Sequence, residues 1–179
     1  MARDSAGLPC ALLVLTNANP PVFPEPVVSV IIPAQLRAQW QGHSGLARRV
    51  IEAFPVDQLF MFGVAGVRFF AEMAMEFIRM GAAGARSAAT AEWVMDKTET
   101  PKIEQQLLVL WEAATISIDE WFAKIPIARF QEHEVAYGQE PNSIVRVLRY
   151  AIDNEVHHRG QAYVYLRSLG IEPPAFYDR

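Results

Sequence analysis

Asp153-Asn154-Glu155-Val156-His157-His158-Arg159-Gly160-Gln161 is the most informative stretch of this 179-residue chain. It lies between Pro141-Asn142 and Gly170, with Pro173-Pro174 beyond, and those boundaries predict one long helix from about Pro141 to Leu169. Ile144, Val147, Leu148, Ala151, Ala162, Leu166 and Leu169 form its apolar stripe. At about 100° per residue, His158 falls inside that stripe, Asn154 on its edge and His157 well to one side. Asn154 and His158 then stack one turn apart on the inward face. Gly160 costs roughly 1 kcal/mol against alanine in a helix interior, which points to the close approach of another backbone.

Working outward from this helix, three earlier segments share its period. Leu36, Trp40, Leu46, Val50 and Phe54 mark the first, opened by Pro33 and stopped by Pro55. The second runs from about Val67 to Met80, with Phe69, Phe70, Met73, Phe77 and Met80 on one face and Gly81 and Gly84 closing it. The third starts at Pro101 with Thr100 as its cap, follows Ile103, Leu107, Trp111, Ala114, Ile118, Phe122 and Ile125, and ends at Pro126. Four amphipathic helices make an all-α protein, a four-helix bundle. The stretches 81–101 and 126–141 are long for tight hairpins and predict crossover connections with room for short helical turns. The bundle domain is read as 34–179 and residues 1–33 as an N-terminal arm.

Composition excludes several classes. Half of the residues are apolar (51%) and a fifth charged (20%), with mean hydropathy +0.09, which is globular rather than disordered. The single cysteine, Cys10, excludes an internal disulfide framework and a cysteine-rich zinc module. A net charge of −4, with no Lys/Arg cluster, argues against direct nucleic-acid contact. No apolar run approaches the ~20 residues of a membrane span, and the chain reads as cytoplasmic. In the arm, Arg3 before the apolar run Leu8 to Leu15 loosely resembles a secretory signal, but Asp4, Pro9 and the lack of a small-x-small cleavage site oppose it. Val27 to Ile32 has strand chemistry.

Most motifs of known chemistry are missing: no phosphate loop, no dinucleotide fingerprint, no nucleophile elbow. Gln131-Glu132-His133-Glu134 is rich in ligand types, but a zinc helix motif would need histidine where Tyr137 stands, and a solvated loop is the simpler reading. Glu76 lies at the edge of the second helix's apolar stripe, where a carboxylate must be paired, metal-bound, protonated or at the rim of a cleft. Taken alone, His158 reads as a satisfied core histidine and Glu76 as a helix-edge residue. Together with Asn154 they are the candidate site.

These residues resemble the DinB family of helical metalloproteins. The resemblance rests on the 153–161 stretch, continuing through Tyr163-Val164-Tyr165-Leu166-Arg167 to Leu169-Gly170-Ile171-Glu172-Pro173-Pro174. Gln39-Trp40-Gln41-Gly42-His43 and Val67-Arg68-Phe69-Phe70-Ala71-Glu72-Met73-Ala74-Met75-Glu76 add to it. It implies a four-helix bundle with long crossovers, a homodimer, a link to stress response, and a metal site at one end. Metal-binding members use one histidine on the second helix and two on the fourth. By register this chain carries Glu76, Asn154 and His158 in their place. The resemblance therefore implies three alternatives: a shifted site holding zinc, nickel or manganese, a metal-free hydrogen-bonded cluster, or use of the neighbouring His157.

Three functions are open, two from the resemblance and one from the aromatic residues. The first is a metal-dependent enzyme of the thiol-transferase or small-hydrolase type, with Glu76 and His158 as ligands and Asn154 as a weak ligand or orienter. The second is a non-catalytic bundle whose metal site is lost. The third is a small-molecule binding module lined by Trp40, Phe69, Phe77, Trp111, Trp121 and Tyr165. Glu76 could also serve as a general base.

Overall fold

Pro33 opens the first helix as expected, its missing N–H falling where a helix has no intrahelical acceptor to offer. The Gln35 side chain accepts from the Ile32 N–H at 3.1 Å and satisfies a donor at the same end. This computed structural model describes residues 31–64 and 66–179. Four helices carry the fold: α1 (Pro33–Ala53), α2 (Phe70–Thr90), α3 (Glu104–Phe122) and α4 (Ile144–Ser168). The fold is the all-α bundle that the periodicity predicts. Both α1 and α2 pack against α3 and α4, so α1 and α2 lie across the bundle's diagonal. A two-residue antiparallel pair, β1 (His133–Glu134) and β2 (Asn142–Ser143), ties together the connection into α4. Among the described residues no helix is long and apolar enough to cross a membrane. The proposed arm falls almost wholly outside the described residues, and so does Cys10. Of the Val27–Ile32 stretch, only Ile31 and Ile32 are described, and neither is in a strand.

The helix boundaries depart from expectation in instructive ways. The second helix does not close at Gly81 and Gly84; it begins at Phe70 and runs on to Thr90. Both glycines are buried in the bundle. A Cβ on Gly81 would stand 2.9 Å from Ile118 Cδ1 and 3.3 Å from the Trp40 ring, so this glycine admits close packing instead of ending a helix. The third helix starts at Glu104 rather than Pro101, with Ile103 as its N-cap; Ile103 is exposed and off the stripe. Thr100 caps nothing there and instead accepts from Arg79. That helix ends at Phe122, and Ile125 is buried beyond it. The fourth starts at Ile144 because Asn142 and Ser143 are engaged in β2. Its end is as expected: Gly170 takes φ +78°, Ile171 N–H donates to Leu166 O at 2.9 Å, and Gly170 N–H to Arg167 O at 3.0 Å.

The core is two apolar clusters. One joins the C-terminal half of α1 and the N-terminal half of α2 to Leu107, Trp111, Ala162 and Leu166. The other joins Leu36 and Trp40 to Ala85, Ile118, Phe122, Ile144, Leu148 and Ile152. A polar layer contributed by α1 and α4 interrupts the apolar faces of those helices: His43, Ser44, Glu155 and Arg159 are all buried. Arg159 donates to the His43 carbonyl at 3.2 Å, to His43 Nδ1 at 2.9 Å and to Glu155 Oε1 at 3.4 Å. Ser44 Oγ donates to Glu155 Oε2 at 3.3 Å. Burial pushes the Glu155 carboxyl up to about 8, against the pull of the Arg159 charge and of hydrogen bonds from Ser44 and Trp40. His43 goes the other way, down to about 4, through burial and then the charges of Arg159 and Arg179, with Asp153 opposing.

Two expectations follow. Gly81→Leu must displace Ile118 and Trp40 and should lower stability by about 1–3 kcal/mol. Gly84→Ala adds a Cβ that meets nothing within 4 Å, and should raise it by about 0.5–1 kcal/mol. Urea titration of both variants checks the pair, and two shifts of the same sign would overturn it. For His43, the unfolded chain takes up a proton near 6.5 that the folded chain refuses until about 4. Its contribution is therefore complete above 6.5 and is lost as pH falls through that window, by roughly 3 kcal/mol at most. His43→Gln should flatten the decline in unfolding free energy between pH 7 and 4.5, and parallel declines in the two proteins would contradict this.

Candidate functional site

The loop between α1 and α2 delivers a residue that the helical wheel does not show. Gly63 lets this loop fold tightly: a Cβ there would stand 2.9 Å from the Val67 carbonyl oxygen, a backbone atom that cannot simply move aside. Tyr165, buried in α4, donates its hydroxyl proton to the Arg68 carbonyl at 3.0 Å. The Phe62 ring packs edge-on against Tyr165 at 5.7 Å. Phe69 then caps α2 with extended backbone. The backbone of Arg68 is thereby fixed at the mouth of the bundle, and its side chain reaches towards the candidate site.

There the three sequence-derived residues do come together. Asn154 Nδ2 donates to Glu76 Oε1 at 3.0 Å. His158 Nε2 lies 3.6 Å from the same oxygen. Arg68 Nη1 pairs with Glu76 Oε2 at 2.6 Å, and Arg68 Nη2 lies 3.4 Å from His158 Nε2. On its other side, His158 Nδ1 meets Gln161 Oε1 at 2.7 Å. An amide oxygen only accepts, so Nδ1 donates to it, and Nε2 is the nitrogen that faces Arg68 and Glu76. The Phe77 ring stacks on His158 at 5.9 Å and holds the imidazole in plane. For Glu76, burial works to raise the pKa; hydrogen bonds from Arg68 and Asn154, and the charges of Arg68 and His158, outweigh it, so the carboxyl titrates below its ordinary range.

The donor set bears on a transition metal. It offers one imidazole nitrogen, one carboxylate and one amide, and among the described residues no group of three or more His, Cys, Asp or Glu gathers to hold an ion. The position that an ion's charge would neutralise is already served by a guanidinium, and the amide of Asn154 presents a donor, not an acceptor, to Glu76. In this arrangement the residues do not fit a transition-metal ion. What they can do is hold a carboxylate ionised beside an imidazole at a half-open rim.

His157 is exposed, on the side of α4 opposite its buried face, and does not face Glu76. It packs edge-on against His158 at 4.9 Å and receives only a long contact of 3.4 Å from Gln161. Gly160 does not mark a close approach: nothing lies within 4 Å of a Cβ placed there, and the residue is exposed. Glu132 and Glu134 are not simply solvated. Both pair with Arg129 at 2.8 Å, and Trp93 donates to Glu134 at 2.6 Å. Of the aromatic residues, Trp40, Phe77, Trp111 and Tyr165 are core. The cavity that Trp40, Phe77 and Trp111 help to line is about 10 Å³, against the roughly 300–1,000 Å³ of a ligand pocket.

Glu155 and Arg159 are the polar residues that sequence reading passes over. They occupy the centre of α4's buried face with Leu148, Ile152, Ala162 and Leu166. His158 and Asn154 flank that centre by about 80° and 120° at 100° per residue. The spacing 148, 152, 155, 159, 162, 166 carries the signal, and it is visible only when charged residues are allowed inside.

The DinB family's sequence model matches residues 28–179. No curated protein matches the chain. Among solved structures, a DinB-like protein from Bacillus cereus ATCC 10987 superposes with a TM-score of 0.67 at 14% identity, covering 80% of this chain and 97% of its own. A DinB-like protein from Bacillus subtilis gives 0.64 at 14%, covering 81% and 99%. At that identity the two structures speak for the fold alone, and they agree with the bundle described above. With the family match spanning the whole bundle, the chain belongs to the DinB family.

Proposed function

We propose that this chain is a DinB-family bundle whose end-of-helix site is a metal-free, charge-paired polar cluster rather than a catalytic metal centre. The family is generally metal-associated, so this is a statement about these residues. The observation that carries it is the state of Glu76. One carboxylate oxygen is taken by Arg68 at 2.6 Å and the other by Asn154 at 3.0 Å. A carboxylate already satisfied by a cation and an amide gains little from exchanging them for an ion that must shed its water. Homodimeric assembly and a role in stress response rest on the family resemblance, a cytoplasmic location rests on composition, and all three belong to the same reading.

The alternative, a metal-dependent thiol transferase or small hydrolase using zinc, nickel or manganese, has one observation in its favour. Gln161 engages Nδ1 and orients His158 as the outer partners of metal-binding histidines do. In that reading Glu76 and His158 are the ligands, with Asn154 a weak ligand or orienter.

Elemental analysis separates the two. The protein, purified without a histidine tag and incubated with zinc, nickel and manganese in turn, should carry well under a tenth of an equivalent of metal. Chelator should leave its melting temperature unchanged. Near-stoichiometric metal that is lost in both Glu76→Ala and His158→Ala would overturn the proposal and justify thiol-transfer assays.

A further inference from the structure

We infer that Arg68 is the residue that keeps divalent metals out of the site, and that Glu76 and His158 form a latent metal-binding pair beneath it. The inference rests on the metal-free reading above and deepens it by naming its cause.

Glu76 Oε1 and His158 Nε2 are 3.6 Å apart. Two donors on one tetrahedral zinc, at bonds of about 2.0–2.1 Å, lie roughly 3.3 Å apart. The pair is therefore within a few tenths of an ångström of sharing an ion. The imidazole already presents Nε2 to the site, since Gln161 engages the other ring nitrogen. Asn154 is one turn before His158 on the same side of α4, and rotation of its amide would turn Oδ1 towards Glu76.

Arg68 opposes all of this at once. Its two terminal nitrogens address both members of the pair, Nη1 on the carboxylate and Nη2 on the imidazole. An ion seated between Oε1 and Nε2 would stand within a few ångströms of a fixed positive charge. Guanidinium cannot relieve that repulsion by losing a proton. It could only swing away, and that would give up its 2.6 Å pair with Glu76. The side chain, however, is half exposed, so truncating it removes the charge without opening the core.

The test is zinc binding by the tag-free full chain, read by calorimetry and by zinc-dependent melting. Arg68→Ala and Arg68→Gln are compared with the parent, each also combined with Asn154→His, which places a second imidazole one turn from His158. Far-UV circular dichroism confirms the fold of each, and Arg68→Gln keeps part of the side chain's packing should the alanine variant unfold. The expected result is at least a tenfold tighter zinc dissociation constant on removal of Arg68, both in the parent background and in the Asn154→His background. That gain should vanish when His158→Ala is added. If Asn154→His alone binds zinc as tightly as the double variants, or if removing Arg68 changes nothing in either background, the inference is overturned while the metal-free reading stands. If the parent itself takes up zinc stoichiometrically with Arg68 in place, both fall.

Discussion

The rotation of α4 about its own axis is the constraint on which the site depends, and a buried charged layer sets it. Arg159 and Glu155 sit one turn apart on the helix, both within the bundle, and their partners come from a single turn of α1, His43 and Ser44. An arginine this deeply buried needs acceptors in fixed directions, and turning the helix by one residue would leave it without them. Apolar contacts tolerate sliding more readily than that. Once Glu155 and Arg159 point into the centre, Asn154 and His158 are carried to the flank that faces α2, and His157 is carried away from it. Selection of His158 over His157 is thus decided by the buried residues around them, not by the histidines themselves.

The same layer explains why two carboxylates on adjoining elements behave oppositely. Glu155 lies in the dry middle of the bundle, where its arginine partner is long at 3.4 Å, and burial pushes its pKa up to about 8. Glu76 lies at the mouth, with Arg68 at 2.6 Å and an amide donor besides, and its pKa falls. Depth of burial, and after it hydrogen-bond geometry, decides the difference more than the presence of a positive partner, because both have one. The mouth is therefore the place where this protein favours an ionised carboxylate, and the interior is where burial works against one.

Much of this is legible in the residues. Helical periods yield four segments, Pro33 and Gly170 mark a start and a stop where the chain uses them, and Glu76, Asn154 and His158 stand out and do meet. Local chemistry suffices for such features. Gly81 and Gly84 mislead, because a glycine that ends a helix and a glycine that admits a neighbour's side chain look alike until Trp40 and Ile118 are in place. Gly160 misleads in the reverse direction: it suggests a neighbour that is not there. Ile103 counts as core by its period alone, although helix α3 begins only after it. Glu155 and Arg159 are passed over because a charged residue is not expected inside, and only their shared partners on α1 place them there.

Arg68 lies within a family-like stretch, yet no local reading makes it a site residue. It precedes α2, so no helical wheel assigns it a face. Its place follows from three non-local facts: the tight fold allowed by Gly63, the Tyr165 hydroxyl on its carbonyl, and the reach of its side chain to Glu76. None involves a residue that periodicity would group with it. Yet this one side chain sets the electrostatic character of the site, since a carboxylate and an imidazole beside a guanidinium form a closed charge balance, and the same two without it form half a coordination shell. Helix faces determine which groups can meet at the mouth of such a bundle; the loop that crosses it determines what those groups can hold.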